Sequence, residues 1–256
     1  MRKRLDLEIV SRGLATSRAM AQALVLEGKV RVDGQVERKS SRSVDESSNI
    51  EVEQPQRFVS RGGEKLEGAF ALWGEGEKAL LNAEGKKCLD VGSSTGGFTD
   101  CLLQHGAAHV MAVDVGTNQL AYKLRVDSRV WVRENFNARY MTVDDLPHRP
   151  ELAVTDVSFI SLKLILPPIA SVLEVGGMAV ALIKPQFEVG RGNAPGGLVK
   201  DEALRIEARD AIVKFGIEEL KLELLGLAPS PIKGKEKGNV EYLSLWRKNV
   251  PFSLST

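Results

Sequence analysis

Short apolar runs alternate with amphipathic stretches through most of this chain. Cys88–Val91, His109–Val113, Val130–Arg133, Leu152–Val157 and Met178–Ile183 read as strands. Phe98–Gln104, Ser161–Leu173 and Asp201–Phe215 read as helices between them. Leu220–Leu227 and Val240–Trp246 read as two late strands. Strands alternating with helices predict an α/β fold with a doubly wound, Rossmann-like parallel sheet and a mixed far edge. Another helix, carrying Lys65, Leu66, Ala69, Phe70 and Leu72, follows Ser60-Arg61-Gly62-Gly63 and precedes the first of these strands.

Residues 1–54 have a different grain and predict a small α+β module. Asp6–Val10 is a short helical stretch. Ser17 can cap a second helix, with apolar positions at Met20, Ala23, Leu24 and Leu26, that ends at Gly28. In residues 29–36 apolar and polar positions alternate, and Asp33-Gly34 marks a tight turn between strands. Residues 40–50 are polar and serine-rich, a loop before the strand Ile50–Glu53. Residues 55–62, with Pro55 and Arg57-Phe58-Val59, read as a linker to a domain over 63–249, and 250–256 as a tail.

The composition is globular, 43% hydrophobic and 27% charged over 256 residues. A net charge of +1 leaves the whole chain without an electrostatic footprint for nucleic acid. The distribution changes that picture, because the first forty residues carry nine Lys or Arg against five acids. Arg4, Arg12, Arg18, Lys29 and Arg31 are the candidate contacts to a polyanion, four of them near the helix–strand junctions. Cys88 and Cys101 lie in apolar surroundings with no metal-ligand spacing. They read as buried thiols in a reducing, cytoplasmic setting, and no metal site is expected. No apolar run approaches the roughly 20 residues of a membrane span.

Asp90-Val91-Gly92-Ser93-Ser94-Thr95-Gly96-Gly97-Phe98 follows a strand and opens a helix, the nucleotide-binding place in such a sheet. Glycines allow a ligand to approach the backbone, and the helix start offers free N–H groups. The spacing is not that of a dinucleotide loop. A carboxylate at Asp90 disfavours a pyrophosphate and favours a cation such as the ammonium or sulfonium of S-adenosylmethionine. Asp114, closing the next strand, can accept hydrogen bonds from ribose hydroxyls. The alternatives are a purely structural turn and a nicotinamide-dependent enzyme.

Asp156 and Lys184 fall at the carboxyl ends of successive strands, where crevices form in open α/β sheets. Glu241 begins a late strand, and Lys65 arrives from the helix before the sheet. Singly, each reads as a surface charge. Together they suit activation of a ribose 2′-hydroxyl. Lys184 is the expected base, its proton affinity lowered by Lys65 and partial burial, with Asp156 orienting it. Lys65 and Glu241 would position the hydroxyl.

At these residues the chain resembles the TlyA-type rRNA 2′-O-methyltransferases, sometimes labelled haemolysin A. The resemblance is carried by RLDLEIVSRGLATSRAMAQALVLEGKVRVDG, VSRGGEKL, CLDVGSSTGGFTDCLL, HVMAVDVGTNQLAYKLR, TDVSFISL, ALIKPQFEVGRG and GNVEYL. The first segment resembles an S4 RNA-binding domain and the others an FtsJ-like methyltransferase domain. The resemblance implies a Lys-Asp-Lys-Glu tetrad on Lys65, Asp156, Lys184 and Glu241. It implies S-adenosylmethionine as donor, held by Asp90, Gly92, Ser94, Thr95, Gly96, Gly97, Phe98 and Asp114. The adenosine would bind at Glu134-Asn135-Phe136-Asn137, with Asn135 as the candidate. The implied substrate is a cytidine ribose in ribosomal RNA. Because the chain ends soon after Trp246, the large subunit is favoured over the small. Rival readings are an RNA-binding protein with an inactive methyltransferase fold, a small-molecule methyltransferase and a membrane-active haemolysin.

Overall fold

The computed structural model describes residues 2–53, 56–76, 79–190, 192–234 and 238–252. The chain forms two compact units, residues 1–56 and 57–256. Pro55, expected in a linker, lies outside the described residues, as do residues 253–256 of the expected tail.

The first unit runs β1 (Lys3–Arg4), α1 (Leu5–Ser11), α2 (Arg18–Leu26), β2 (Val30–Val32), β3 (Gln35–Val36), β4 (Ser43–Val44) and β5 (Ile50–Val52). Ser17 caps α2 by accepting from the Met20 amide at 3.2 Å. The buried face of α2 is Ala21, Leu24 and Val25, whereas Ala23 and Leu26 face solvent. The expected apolar face is therefore rotated by about one residue. Spacing alone could not choose between two overlapping apolar sets, and packing against Leu5, Ile9 and Val30 does. Asp33 and Gly34 both take positive φ, 51° and 80°, as a type I′ turn requires, and join β2 to β3. Within the polar stretch read as a loop, Ser43 and Val44 pair with Arg4 and Lys3.

In the second unit α3 (Gly62–Trp73) precedes β6 (Lys87–Val91), α4 (Gly97–Gln104), β7 (His109–Val113), α5 (Tyr122–Arg125) and β8 (Val130–Arg133). Then follow β9 (Leu152–Thr155), α6 (Leu166–Val172), β10 (Met178–Ile183), α7 (Pro185–Glu188), α8 (Glu202–Glu218), β11 (Leu222–Pro229) and β12 (Tyr242–Lys248). The seven strands lie in the order β8-β7-β6-β9-β10-β12-β11. All neighbours from β8 to β10 are parallel, and β12 is antiparallel to both β10 and β11. The chain steps outward from β6 to β8 and returns to β9 on the other side of β6. The switch point thus lies between β6 and β9, where a crevice opens at the carboxyl ends.

Alternate residues along each strand serve two cores. Leu89, Met111, Ala153, Ala181 and Trp246 pack with Leu166 and Ile169 of α6 and Ile212 of α8. Cys88, Val110, Val154, Leu182 and Leu245 pack with Leu66 and Phe70 of α3 and Leu102 of α4. The helix expected over 161–173 divides into a 3₁₀ turn, Leu162–Leu164, and α6. Pro167 and Pro168 explain the division, because neither can donate the N–H that a continuous helix needs. Residues 57–62, read as linker, belong to the second unit. The Val59 amide donates to Asp100 at 2.9 Å, and Gln104 donates to the Arg57 carbonyl at 3.1 Å.

Asp6 organises the basic side of the first unit. Its buried carboxylate accepts from Arg4 (2.9 and 3.0 Å), Arg18 (3.1 Å) and Gln22 (2.8 Å). The Arg4 guanidinium, against the opposing effect of burial, holds this carboxyl well below the usual carboxylate range. Its stabilisation is therefore present at neutral pH and is lost on acidification below the ordinary carboxylate range. Asp6→Ala is expected to destabilise this unit by about 1–3 kcal/mol, the usual worth of hydrogen bonds between a buried carboxylate and charged donors. Amide hydrogen exchange on the full chain should show lost protection in residues 5–26 and unchanged protection in β6–β10.

Candidate active site

Four charged side chains meet at the carboxyl edge of the large sheet. Asp156 directly follows β9 and Lys184 directly follows β10. Because β12 is antiparallel to β10, with Tyr242 opposite Ile183, Glu241 enters at the same edge. Lys65 lies in the first turns of α3, whose start is so close that a Cβ on Gly62 would sit 3.9 Å from Asp156 Oδ2.

The charges alternate along a line. Glu241 Oε2 is 2.8 Å from Lys65 Nζ, which is 3.2 Å from Asp156 Oδ2. Asp156 Oδ1 is 2.7 Å from Lys184 Nζ, an ion pair without hydrogen-bond angles. Lys184 instead directs hydrogen bonds to Ser158 Oγ at 2.7 Å and to the Asp156 carbonyl at 3.3 Å. Two ammonium groups and two carboxylates cancel, which is what permits burial of Lys65, Lys184 and Glu241. Asp156, with 19% of its side chain exposed, is the most open member and gives the line a face toward solvent.

Several neighbours went unread in the sequence. Gln186 donates to Glu241 Oε1 at 3.3 Å, and its own carbonyl oxygen is buried without a partner among the described residues. Asn239 bonds the Val199 amide and the Gly197 carbonyl, anchoring the approach to Glu241. Phe159 is 85% exposed at φ 64°, a conformation disfavoured for an aromatic residue. Its ring lies 5.2 Å from that of Phe187, which in turn is 6.0 Å from Lys184 Nζ. The only sequence signal was position: these aromatics follow Asp156 and Lys184 by three residues each.

The glycine loop turns between β6 and α4. Gly97 is required by protein packing, since a Cβ there would overlap Ser60 Oγ and lie 2.8 Å from the Gly63 amide. Gly96 has φ 95°, and its Cβ would meet the side chains of Leu120 and Leu124. Gly92, Ser94 and Thr95 are the more open members, and Ser94 is itself left-handed at φ 47°. Asp114 ties two loops together, accepting from the Ser94 amide at 2.8 Å and the Gly116 amide at 2.7 Å. Each oxygen keeps a lone pair for a further donor. Asn135 is exposed, whereas the Asn137 side chain caps the turn Ala138–Tyr140.

Two expected cofactor contacts sit differently. The Phe98 side chain is buried against α3 and Leu102, leaving only its backbone at the helix start for a ligand. Asp90 is 1% exposed and points to α4, where the Thr99 hydroxyl donates to it at 2.7 Å. The direct contact with a cation expected of it has no open surface. Strand alternation sends its side chain to the α4 face of the sheet rather than up into the crevice. Burial first, with Asp156 and Asp114 adding repulsion and Thr99 opposing, pushes its carboxyl up to about 7.

The basic residues of the first unit divide likewise. Arg12 is an internal brace, bonding Glu8 Oε1 and the carbonyls of Ser48 and Asp45 at 2.9–3.0 Å. It is thereby removed from the expected set of open contacts. Arg4 and Arg18 share Asp6 but remain about half exposed. Arg31 is exposed on β2, and Lys29 pairs with Glu27 at 2.6 Å.

A sheet of this order, with a glycine loop at its switch point and alternating lysines and carboxylates at the strand ends, defines a methyltransferase-type α/β domain. The sequence profile of the FtsJ-like methyltransferase family matches residues 58–248, and that of the S4 domain matches residues 3–50. The chain is 44% identical to the 16S/23S rRNA (cytidine-2′-O)-methyltransferase TlyA of Mycobacterium tuberculosis, over 99% of this chain and 93% of that one. It is 44% identical to hemolysin A of Brachyspira hyodysenteriae, over 94% of this chain and 98% of that one. A solved structure of a candidate hemolysin from Streptococcus thermophilus superposes with a TM-score of 0.72 at 39% identity, covering 98% of this chain and 92% of that one. The chain belongs to the FtsJ-like methyltransferase family, in its TlyA-type, S4-bearing branch.

Because Asp90 carries a folded-state pKa above its ordinary value of 3.8, its contribution to stability is full below about pH 4 and is lost as pH rises through about 7. Asp90→Asn keeps an acceptor for Thr99 and does not titrate. The Tm of this variant relative to wild type should therefore increase from pH 5 to pH 8, measured by thermal unfolding at fixed ionic strength. A gap independent of pH would mean that Asp90 folds with an ordinary pKa.

Proposed function

We propose that this protein transfers a methyl group from S-adenosylmethionine to the ribose 2′-hydroxyl of a cytidine in ribosomal RNA. The alternating line Glu241–Lys65–Asp156–Lys184 beside the glycine loop carries this reading. Relatives named as cytidine-2′-O-methyltransferases support the substrate. The Mycobacterium tuberculosis relative is named for both 16S and 23S rRNA, and the one from Campylobacter jejuni for 23S alone. That difference makes the subunit a question for the experiment.

The residues at the switch point suit the donor. Ser94, Thr95 and Gly92 present open backbone, Asp114 has acceptor capacity for a ribose diol, and the Asn135 side chain is accessible. Gly96, Gly97 and the backbone of Phe98 shape the helix start, and Asp90 holds that start through Thr99. S-adenosylmethionine supplies an electrophilic methyl group on a sulfonium.

The protein's own residues prepare the acceptor. Lys184 must first give up its own proton to solvent; the resulting amine, steered by Asp156 and Ser158, then takes the 2′-hydroxyl proton as the oxygen attacks in line. Lys65, held between Glu241 and Asp156, donates toward the developing oxyanion. Gln186 offers its free carbonyl oxygen to a ribose hydroxyl. Orientation of the two reacting atoms supplies much of the acceleration. Phe159, backed by Phe187, forms an exposed platform on which the target base can stack, removed from its helix. Arg4, Arg18, Lys29 and Arg31 of the S4 unit contact RNA phosphates, an interaction that weakens with salt. The setting is the cytoplasm, where ribosomal subunits reside. Among the described residues no helix is long and apolar enough to cross a membrane.

The direct test is to map methylated riboses in both rRNAs from cells lacking the gene and from complemented cells. Loss and return of one 2′-O-methylcytidine is the expected result, and an unchanged map rejects the assignment. Lys184→Ala should lower the single-turnover rate by about 10²-fold or more, the usual contribution of a general base, with cofactor affinity by calorimetry nearly unchanged. A variant of near-normal turnover removes Lys184 from that role. Phe159→Ala should raise the KM for an rRNA fragment about tenfold, in keeping with the usual strength of base–aromatic stacking. An unchanged KM would deny the platform.

A further inference from the structure

Two residues past Lys65 on α3, Glu67 turns toward α4, where Cys101 and His105 lie four residues apart on one helical face. Cys101 Sγ, His105 Nε2 and a Glu67 carboxylate oxygen all lie within 4.8 Å of one another. We propose that these three side chains bind a divalent zinc-type cation that clamps α3 to α4. The proposal concerns a site apart from the methyl-transfer cleft and does not depend on the reaction assigned there.

Thiolate, imidazole and carboxylate are the donors zinc takes in proteins, commonly as three protein ligands completed by water. Metal–ligand lengths of about 2.0–2.3 Å imply tetrahedral edges of roughly 3.3–3.8 Å. Cys101 Sγ already stands 3.8 Å from Glu67 Oε2. His105 Nε2 is 2.7 Å from the same oxygen and has to open slightly. The imidazole plane is set by stacking on Phe70, with centroids 3.8 Å apart and planes 11° from parallel.

The surroundings fit a ligated carboxylate. Arg57 Nη1 binds Glu67 Oε1 at 2.6 Å, which leaves Oε2 aimed at the cysteine and histidine. Such an outer partner orients a metal-bound carboxylate. One thiolate and one carboxylate neutralise a dication, so the metal-bound set is neutral where the metal-free thiol and carboxylate carry one negative charge. Cys101 is fully buried, and the partly exposed Glu67 and His105 side chains provide the way in.

Burial, reinforced by Glu67, pushes the Cys101 thiol far up, so it is protonated in the metal-free protein. Binding expels that proton to solvent, and His105 must carry its own proton on Nδ1 to free the Nε2 lone pair. Affinity therefore rises with pH. Cysteine-pair spacing could not reveal this set, because the partner ligand is a histidine one helical turn away and the third comes from another helix.

The test uses the full-length, chelator-treated protein titrated with Co(II) and Zn(II). The expected result is one Co(II) per chain with a thiolate-to-metal charge-transfer band, displaced by Zn(II), and an increase in Tm with Zn(II). Cys101→Ser should lose the band. His105→Gln, at a partly exposed position, should weaken binding about tenfold or more and reduce the Tm response. Circular dichroism establishes that each variant is folded. Absence of the band at millimolar Co(II), or binding unaltered by His105→Gln, overturns the proposal, the latter by placing the ion elsewhere. If Cys101→Ser fails to fold, the wild-type spectrum and His105→Gln decide the matter.

Discussion

Asp156 holds two ammonium groups, one on each carboxylate oxygen, and the site depends on that arrangement. A lysine taken out of water is costly unless an opposite charge meets it, and the loss of one partner from a buried pair costs about 3–5 kcal/mol. Here the line is closed at one end by Glu241 and at the other by Ser158, so no charge is left unmatched. The four residues come from α3, the ends of β9 and β10, and the start of β12. Their charges therefore bind separate parts of the second unit to each other as well as providing acid–base groups. The most open carboxylate sits in the middle, where a ligand can reach both lysines through one side chain.

The scaffold beneath this line is built from close backbone approaches. Gly97 lets the Ser60–Gly63 turn lie against α4, and Asp100 and Arg57 fasten the same region. As a result the helix bearing Lys65 and the helix opening from the glycine loop share one packed boundary. Asp90 is tied to the start of α4 through Thr99, and Asp114 to the loop through Ser94. The first is neutral or ionised according to pH near 7, and the second is engaged with two amides. Some of the glycine signal in the sequence thus belongs to protein packing rather than to the ligand.

Much of the fold was legible because its signals are local. The strands at 109–113, 130–133 and 178–183 fall where the apolar runs put them, and the Asp33-Gly34 turn follows from φ preferences alone. Misreadings arose where two local patterns overlap or where a partner is distant. The face of α2 shifted because two apolar sets fit one helix. Arg12 looked like an RNA contact, yet it braces carbonyls more than thirty residues away. Phe98 and Asp90 lie in a motif suited to a ligand, but helix and strand geometry turn their side chains inward. Phe159, Phe187 and Gln186 carry no periodic or compositional mark.

The sequence by itself determined the strand–helix alternation, the switch-point loop, the two-unit division and the residue types able to do acid–base work. These follow from side-chain periodicity and backbone preference, which act over a few residues. Only the tertiary structure decided which charges are neighbours, which arginines are already spent and which aromatic rings remain exposed. Those outcomes depend on strand order and helix packing, which bring residues separated by up to 176 positions within hydrogen-bonding distance.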